Sequence, residues 1–383
     1  MNALFLTFIG GSALLWLSIY GYLFFLWVIA SRKLDGFQNV SQYPRLALVI
    51  PTLNEENLIL SKLRDLENSD YPGNRMTILV VDGGSSDRTL ELVKREIAKG
   101  KKFKLVCLEK SRGKSDQVRK AFQLIEEDIA VFTDTDALLE RSCIRELVGM
   151  LVREPGLAVV GACIRPDTVL LEERLHWRFL NYLWWLEGEA LSAAGVSGVC
   201  YACRLVKAMP AFGNAKAEDI HLALSAAARG YAVRICRQAY AVETRVPQTA
   251  GELLKFRRRR GGVYVSELLQ SGHRHGAKVS MGYVLARFMR LWHFLVTPKI
   301  GVVLFVLGAA LFLSGYRIWL MAILSAFIIP GLIILFSSDE ASGTRFRWLK
   351  LVGAACRLFV LTSISMILLN IRPTEQGPVG GRT

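Results

Sequence analysis

Residues 46–82, LALVIPTLNEENLILSKLRDLENSDYPGNRMTILVVD, contain two short apolar runs with a helical pattern between them. The runs at 46–51 and 77–82 are rich in β-branched residues and end in polar turn residues, as buried strands do. Helices are expected after them, over Glu55–Ser69 and Ser86–Ala98. Strands alternating with helices through short loops form an α/β sheet. The chain is therefore predicted to contain an open, mostly parallel, Rossmann-like sheet wrapped by helices.

Two more apolar runs, at 103–108 and 129–133, extend this predicted sheet. In such sheets, ligands bind beyond the carboxyl ends of the strands. Asn54, Asp82 and Asp134 all lie at those ends. The three residues are thus expected to converge on one crevice.

Long apolar segments bracket the sheet-forming region, and apolar residues make up 52% of the chain. Residues 3–30 carry no charge and can cross a hydrocarbon core of about 30 Å. Their neutral start and their length distinguish them from a secretory signal, and Arg32 and Lys33 follow on the predicted cytoplasmic side. Further crossings are expected at 295–315, 318–336 and 351–371.

This pattern divides the chain into five regions. They are an N-terminal transmembrane helix, a cytoplasmic α/β domain, an interfacial helix, three C-terminal transmembrane helices and a disordered tail. The boundaries are expected at 1–33, 34–277, 278–294, 295–372 and 373–383. The protein would be integral to the cell membrane. An aromatic stretch, residues 170–191, fits either a core-packing helix or a helix at the headgroup level.

The net charge of +15 has two interpretations. Nucleic acid is not the expected partner, because the aromatic and glycine pattern of an RNA-binding module is absent. A domain lying on an anionic lipid surface is favoured, since Lys and Arg beside such a surface contribute about 1 kcal/mol each. The seven cysteines, an odd number in a cytoplasmic setting, argue against a disulfide framework. Cys200 and Cys203 are expected to pack within a strand rather than to bind zinc.

Asp134, Thr135 and Asp136 follow a predicted strand, where alternate residues face the same side. Two carboxylates aimed at one point suit Mg²⁺ or Mn²⁺, which also bind substrate phosphates. A solvated turn would contain the same residues. Asp82 in DGGSSDRT likewise fits two interpretations. One is a tight turn whose serines cap the next helix, and the other is a carboxylate that binds a nucleotide base or ribose.

Glu218 and Asp219 are expected to begin a helix. Acids in a first turn stabilise the helix dipole by about 0.3–1 kcal/mol, which is the structural explanation. The functional explanation makes Asp219 a general base that takes a proton from an acceptor hydroxyl. His221 is expected on the surface, with a metal-binding or proton-relay role as the alternative.

Two basic segments are candidates for binding diphosphate oxygens. Arg257–Arg260 is a run of four arginines followed by two glycines, and Lys114 lies in SRGKSD. Guanidinium groups bind phosphates through paired hydrogen bonds. A solvated helix face or contact with the membrane surface would also explain the arginine run.

The order of these motifs resembles that of membrane-bound members of glycosyltransferase family 2. The resemblance covers residues 46–262 and rests on PTLNEE, VVDGGSSDRT, RGKSDQ, FTDTDA, AEDIHLALSAAARGY and FRRRRGG. It implies a glycosyltransferase-A fold, a nucleotide-sugar donor, a divalent metal and inversion at the anomeric carbon.

Carried over residue by residue, the resemblance assigns three roles. Asp219 would be the catalytic base, and Asp134 and Asp136 would bind Mg²⁺ or Mn²⁺. Pro51, Asn54, Glu55 and Asp82 would line the base and ribose pocket. With the cationic candidates described above, the predicted donor-binding residues are Pro51, Asn54, Glu55, Asp82, Lys114, Asp134, Thr135, Asp136, Arg257, Arg259 and Arg260.

One departure from the family bears on the product. Processive polysaccharide synthases carry Gln-x-x-Arg-Trp where this chain has FRRRR at 256–260. The missing Gln and Trp favour an inverting transfer of one sugar to a lipid-linked or glycolipid acceptor. By analogy with small lipid mannosyltransferases, GDP-mannose is the favoured donor and UDP-glucose the next. A processive synthase is the enzymatic alternative, and a nucleotide-sensing membrane transporter or scaffold is the non-enzymatic one.

Overall fold

The structure of the protein is a computed structural model that describes residues 3–31, 43–100, 103–108, 111, 113–205, 215–271, 279–320 and 323. The strands are β1 (Leu46–Thr52), β2 (Met76–Asp82), β3 (Phe103–Cys107), β4 (Ile129–Thr133), β5 (Ala137–Leu139), β6 (Leu157–Pro166), β7 (Cys200–Arg204) and β8 (Ala232–Glu243). The helices are α1 (Ala3–Trp16), α2 (Tyr22–Ala30), α3 (Ile59–Glu67), α4 (Thr89–Ala98), α5 (Lys114–Leu124), α6 (Cys143–Arg153), α7 (Leu171–Ala190), α8 (Glu218–Ala228), α9 (Ala250–Ser271), α10 (Met281–Leu295) and α11 (Thr297–Leu313).

The strands form one sheet in the order β3-β2-β1-β4-β7-β6-β8-β5. The first four in this order are mutually parallel, as the sequence predicts. The other half is mixed, because β7 runs antiparallel to both β4 and β6, and β5 runs antiparallel to β8. Every residue of β1 is buried, which places this strand in the core with helices on both faces. The predicted α/β class is confirmed.

The helices that follow β1 and β2 begin later than predicted. Helix α3 begins at residue 59 instead of 55, and α4 begins at 89 instead of 86. Asn54 has a left-handed backbone with φ of 56°, which asparagine tolerates and which ends the strand in a turn. Before α4, Asp87 accepts the N–H of Thr89 at 3.0 Å, so that neither predicted serine caps this helix. The residues that were predicted to begin these two helices instead form the loops at the sheet edge.

Helix α7 contributes to the main core, as one of its two interpretations predicts. Trp177 and Trp184 are 4% and 5% exposed, and both belong to the large hydrophobic cluster of the sheet. The headgroup-level interpretation is therefore wrong for these two indoles. Cys200 and Cys203 lie buried in β7 as free thiols, which confirms strand packing.

Within the described part of the chain, two helical segments are long and apolar enough to cross a membrane, Ala3–Ala30 and Met281–Leu313. A π-helical turn, Leu17–Gly21, joins α1 to α2 within the first segment. In the second segment, the predicted interfacial helix (278–294) continues directly into the predicted crossing at 295–315. The expected crossing at 318–336 is described only at residues 318–320 and 323. The expected crossing at 351–371 and the predicted tail lie outside the described residues.

The N-terminal helix packs against the α/β domain through α2. Leu23 and Leu26 of α2 form a hydrophobic cluster with Leu183 and Leu186 of α7. The fully buried Glu187 completes this contact by accepting hydrogen bonds from α2 and α10. The two long apolar helical segments are thus attached to the helix that precedes the loop leading into β7.

Candidate active site

Polar contacts tie together the loops that follow β1 and β2. The backbone N–H of Asn54 donates to Oγ of Ser85 at 2.8 Å, and the N–H of Ser86 donates to Oδ1 of Asn54 at 2.9 Å. The N–H of Gly83 donates to the carbonyl oxygen of Thr52 at 2.9 Å. The two loops therefore form one wall of the crevice at the carboxyl edge of the sheet.

Asp82 is fully buried at the base of this wall. One of its carboxylate oxygens accepts the backbone N–H groups of Gly84 and Ser85, each at 2.9 Å, and the other accepts the Ser85 hydroxyl. This is the tight turn of the structural interpretation. Contact between Asp82 and a nucleotide base or ribose stays a prediction.

Lys114, the first residue of α5, joins the acidic motifs across the crevice. Its Nζ lies 2.6 Å from Oδ1 of Asp134 and 2.8 Å from Oε1 of Glu218. It also donates to the carbonyl oxygen of Gly198 at 3.2 Å. Burial alone would lower the pKa of Lys114, but the surrounding carboxylates outweigh burial and raise it. The lysine therefore remains charged within the crevice.

Asp219 lies in the first turn of α8, on the same side of the crevice as Lys114. A Cβ atom at Gly198 would lie 2.9 Å from Oδ2 of Asp219 and 2.7 Å from Nζ of Lys114. The missing side chain of Gly198 therefore makes room for both groups. Burial, and next the neighbouring Glu218, raise the pKa of Asp219 to about 7, although Lys114 opposes the shift. A carboxylate with this pKa can exchange a proton near neutral pH.

Asp136 faces a second cation, Arg245, which follows β8. The Nε of Arg245 lies 3.6 Å from Oδ2 of Asp136, and the guanidinium also forms a two-pronged ion pair with Glu55. Thr135, between the two aspartates, donates its hydroxyl to the carbonyl oxygen of Pro51 at 3.4 Å. The structure thereby brings the loop after β4 against the end of β1.

The donor set at Asp134 and Asp136 fits a hard divalent cation. Burial, and next the charge of Asp134, raise the pKa of Asp136 to about 6, although Arg245 opposes the shift. Among the described residues, no group of three or more His, Cys, Asp or Glu side chains could hold a metal ion. A cation here would therefore take its other ligands from phosphate oxygens and water, as Mg²⁺ commonly does.

The three predicted arginines of α9 have different surroundings. Arg257 is buried in an ion pair with Glu173 at 2.5 Å, so reaching a phosphate would require breaking that pair. Arg260 pairs with Glu243 and stacks on the ring of Phe256 at 4.1 Å. Arg259 is exposed. Arg260 would likewise have to leave Glu243 to reach a phosphate, so donor binding by all three arginines stays a prediction.

His221 lies in the interior, so its predicted surface position is wrong. It is 4% exposed, and its Nδ1 lies 3.0 Å from Oε2 of Glu267 in α9. Oε1 of Glu267 also accepts the backbone N–H groups of Lys216 and Ala217, at 2.6 and 3.4 Å. This buried carboxylate holds the start of α8, where Asp219 lies.

Sequence reasoning missed Arg245, Gly198 and Glu267. Arg245 carried a usable signal, because it lies two residues after the long strand β8, in ETRVP. Gly198 and Glu267 carried none, because their roles depend on neighbours distant in sequence. Asn54, Asp82 and Asp134 lie as predicted, at or just beyond the carboxyl ends of the parallel strands β1, β2 and β4.

Part of the chain is similar in sequence to known proteins. Residues 47–211 match the family described as Glycosyl transferase family 2. A probable glycosyltransferase, YdaM of Bacillus subtilis, is 28% identical over 209 residues, which make up 51% of this chain and 50% of that protein. The β-monoglucosyldiacylglycerol synthase of Synechocystis is 29% identical over 121 residues, which make up 31% of this chain and 25% of that protein. The alignments thus span half or less of these relatives.

A solved structure shares the fold over nearly the whole chain. The mannosyltransferase PcManGT from Pyrobaculum calidifontis, in complex with GDP-Man and Mn²⁺, superposes with a TM-score of 0.69 at 22% identity. The superposition covers 96% of this chain and 100% of that one. The mostly parallel sheet is thus that of the glycosyltransferase-A fold. Over residues 47–211, the chain is similar to glycosyl transferase family 2.

Proposed function

We propose that this protein is a hexosyltransferase that moves one sugar, with inversion, from a nucleotide diphosphate to an acceptor in the membrane. One observation carries the proposal. Lys114 joins Asp134, at the end of β4, to Glu218 beside Asp219, whose pKa is raised to about 7. A proton acceptor and a pair of carboxylates suited to a metal therefore share one crevice.

Asp219 would act as the general base in a single displacement. Its carboxylate takes the proton from an acceptor hydroxyl while the acceptor oxygen forms a bond to the anomeric carbon. The bond from that carbon to the diphosphate oxygen breaks on the opposite side, and the nucleoside diphosphate leaves with the bonding electrons. One displacement inverts the anomeric configuration.

Positive charge in the crevice would stabilise the leaving diphosphate. Lys114, Arg245 and Arg260 supply it from three separate elements, and Arg259 lies exposed on α9. A Mg²⁺ or Mn²⁺ ion held by Asp134 and Asp136 would add Lewis-acid stabilisation of the same charge. Pro51, Asn54, Glu55 and Asp82 remain the proposed base and ribose pocket.

The donor and acceptor follow from the relatives and from the apolar helices. GDP-mannose is the favoured donor, supported by the complex in which the superposed mannosyltransferase was solved, and UDP-glucose is the next. A membrane glycolipid or lipid-linked acceptor is supported by the glycolipid synthase relative. Two helices that can cross a membrane would keep the crevice near such an acceptor, with the catalytic domain on the cytoplasmic, anionic lipid surface.

The proposal is tested with purified full-length protein in detergent micelles. GDP-mannose and UDP-glucose, each labelled in the sugar, are incubated with the protein and a membrane lipid extract. We expect label from GDP-mannose in the lipid phase, with less or none from UDP-glucose. Transfer from neither donor, in the presence of Mn²⁺ and lipid, would contradict the proposal.

A further inference from the structure

Lys62 lies on the buried face of α3, together with Ile59, Leu63 and Leu66, and has no solvent exposure. Lysine is almost never buried completely, because its ammonium group has to give up its hydration. Such a group persists where protein acceptors replace the lost water. The acceptors around Lys62 therefore indicate its role.

The ammonium group of Lys62 binds both ends of the segment that carries the paired aspartates. Its Nζ donates to the carbonyl oxygen of Ala137 at 2.6 Å and to Oγ1 of Thr133 at 3.0 Å. Thr133 directly precedes Asp134, and Ala137 directly follows Asp136. One buried cation thus holds the two residues that flank the carboxylates.

Asp65, nearly one turn further along α3, extends this support. Its Oδ2 lies 3.5 Å from Nζ of Lys62 and accepts the backbone N–H of Leu139 at 3.1 Å. On the other side, the Thr133 hydroxyl donates to the carbonyl oxygen of Val199 at 3.0 Å. The network therefore runs from α3, beneath the paired aspartates, to the loop that precedes β7.

We propose that Lys62 is a positioning residue that sets the spacing and direction of the Asp134 and Asp136 carboxylates for a divalent cation. It acts through the backbone of Ala137 and the hydroxyl of Thr133. The inference rests on the function proposed above, because it needs those carboxylates to bind a metal. A role limited to stabilising the fold would use the same contacts but would leave metal affinity unchanged.

The distinguishing measurement is Mn²⁺ binding by the full-length protein in detergent, in the presence of GDP. Lys62→Met keeps the length of the side chain and removes its three donors. We expect the Mn²⁺ affinity to fall about 10- to 100-fold, as when other groups that orient metal ligands are removed. The Mn²⁺ concentration for half-maximal sugar transfer should rise by a similar factor, while GDP affinity without metal stays unchanged.

Two further variants make the comparison specific. Leu66→Ala removes packing from the same buried face of α3 and should lower thermal stability without lowering Mn²⁺ affinity. Thr133→Val keeps the shape of that residue but removes the hydroxyl bound by Lys62. Thr133→Val should also weaken Mn²⁺ binding, but by less than Lys62→Met does. If Lys62→Met does not fold, Thr133→Val tests the proposal in its place.

Three results would overturn the inference. The first is unchanged Mn²⁺ affinity in folded Lys62→Met, or in Thr133→Val if the former does not fold. The second is an equal loss of Mn²⁺ affinity in Leu66→Ala. The third is a failure of the wild-type protein to bind Mn²⁺, or of Asp136→Asn to weaken binding, and only this one also overturns the metal-binding role of Asp134 and Asp136 in the proposed function.

Discussion

At the scale of single residues, the protonation of Asp219 controls the proposed reaction. Burial and the adjacent Glu218 raise the pKa of Asp219 to about 7, and a base works only in its deprotonated form. We expect kcat/KM to be constant above pH 7 and to fall about tenfold per pH unit below it. Asp219→Asn should lower turnover about 10²- to 10⁴-fold and abolish this pH dependence. A pH-rate profile of both proteins checks the assignment, and full turnover in Asp219→Asn would contradict it.

Gly198 makes the second residue-scale prediction. An alanine methyl group there would lie 2.7 Å from Nζ of Lys114 and 2.9 Å from Oδ2 of Asp219, so at least one of them has to move. Misplacing a catalytic group by about 1 Å can cost about 10²-fold in rate, and we expect a kcat loss of that order for Gly198→Ala. Gly251→Ala in α9 is the matched control, because its methyl group would meet nothing within 4 Å. If Gly198→Ala and Gly251→Ala had equal rates, the claim that a methyl group at position 198 crowds Asp219 would be refuted.

Whether each of these site residues could be predicted from the sequence depended on its position relative to the strands. Asp134, Asp136 and Lys114 follow a strand or begin a helix, and local sequence therefore indicates the edge they share. Arg245 pairs with Glu55, which lies 190 residues away, so no local pattern could connect them. Arg257 was predicted as one of a run of four, and the run conceals that α9 turns this guanidinium toward Glu173. Burial in the folded structure distinguishes the four arginines from one another, whereas their spacing in the sequence does not.

At the scale of elements, the contact between the long apolar helices and the α/β domain centres on Glu187 of α7. The Tyr22 hydroxyl and the Arg290 guanidinium each donate to this carboxylate at 2.9 Å. The backbone N–H of Ala194 donates to it at 3.3 Å, within the loop that continues to Gly198. One carboxylate thus connects α2, α10 and the loop that contacts the catalytic groups.

Breaking the pair of Glu187 and Arg290 should be costly. If Glu187 is replaced, the charge of Arg290 stays buried without a partner. Glu187→Leu should lower the free energy of unfolding by about 3–5 kcal/mol, whereas the double variant Glu187→Leu with Arg290→Met should recover most of the loss. Thermal unfolding in detergent micelles checks both variants. The interpretation of Glu187 and Arg290 as a coupled buried pair would be refuted if the double variant were as unstable as the single one.

The sequence pattern identified α10 but not its surroundings. Its arginines suggested a helix lying at the headgroup level, yet Arg290 points inward to Glu187 and is 4% exposed. The aromatic residues of α7 suggested the headgroup level in the same way and pack in the core instead. Composition identifies amphipathic helices, but only tertiary packing decides which partner covers the polar face. The starts of α3 and α4 were missed for a related reason, because contacts between their two loops compete with helix formation.

At the scale of the whole molecule, the arrangement favours one sugar per acceptor. A processive enzyme has to hold the extended chain end, and the position of the family's Trp is taken by Arg260, which pairs with Glu243 and stacks on Phe256. We expect mass spectrometry of lipid products, after prolonged incubation with excess donor, to show a single added hexose. A ladder of many added sugars would restore the synthase alternative.

The central claim is that Asp134 and Asp136 bind a divalent cation that the transfer requires. The most direct measurement is the initial rate of mannosyl transfer from GDP-mannose to membrane lipid by purified protein, first in excess EDTA and then titrated with Mn²⁺. Two partly buried carboxylates facing a diphosphate repel it unless a cation lies between them. We predict no transfer in EDTA, full recovery with Mn²⁺, and little or no recovery in Asp136→Asn. Full transfer in excess EDTA would contradict the claim.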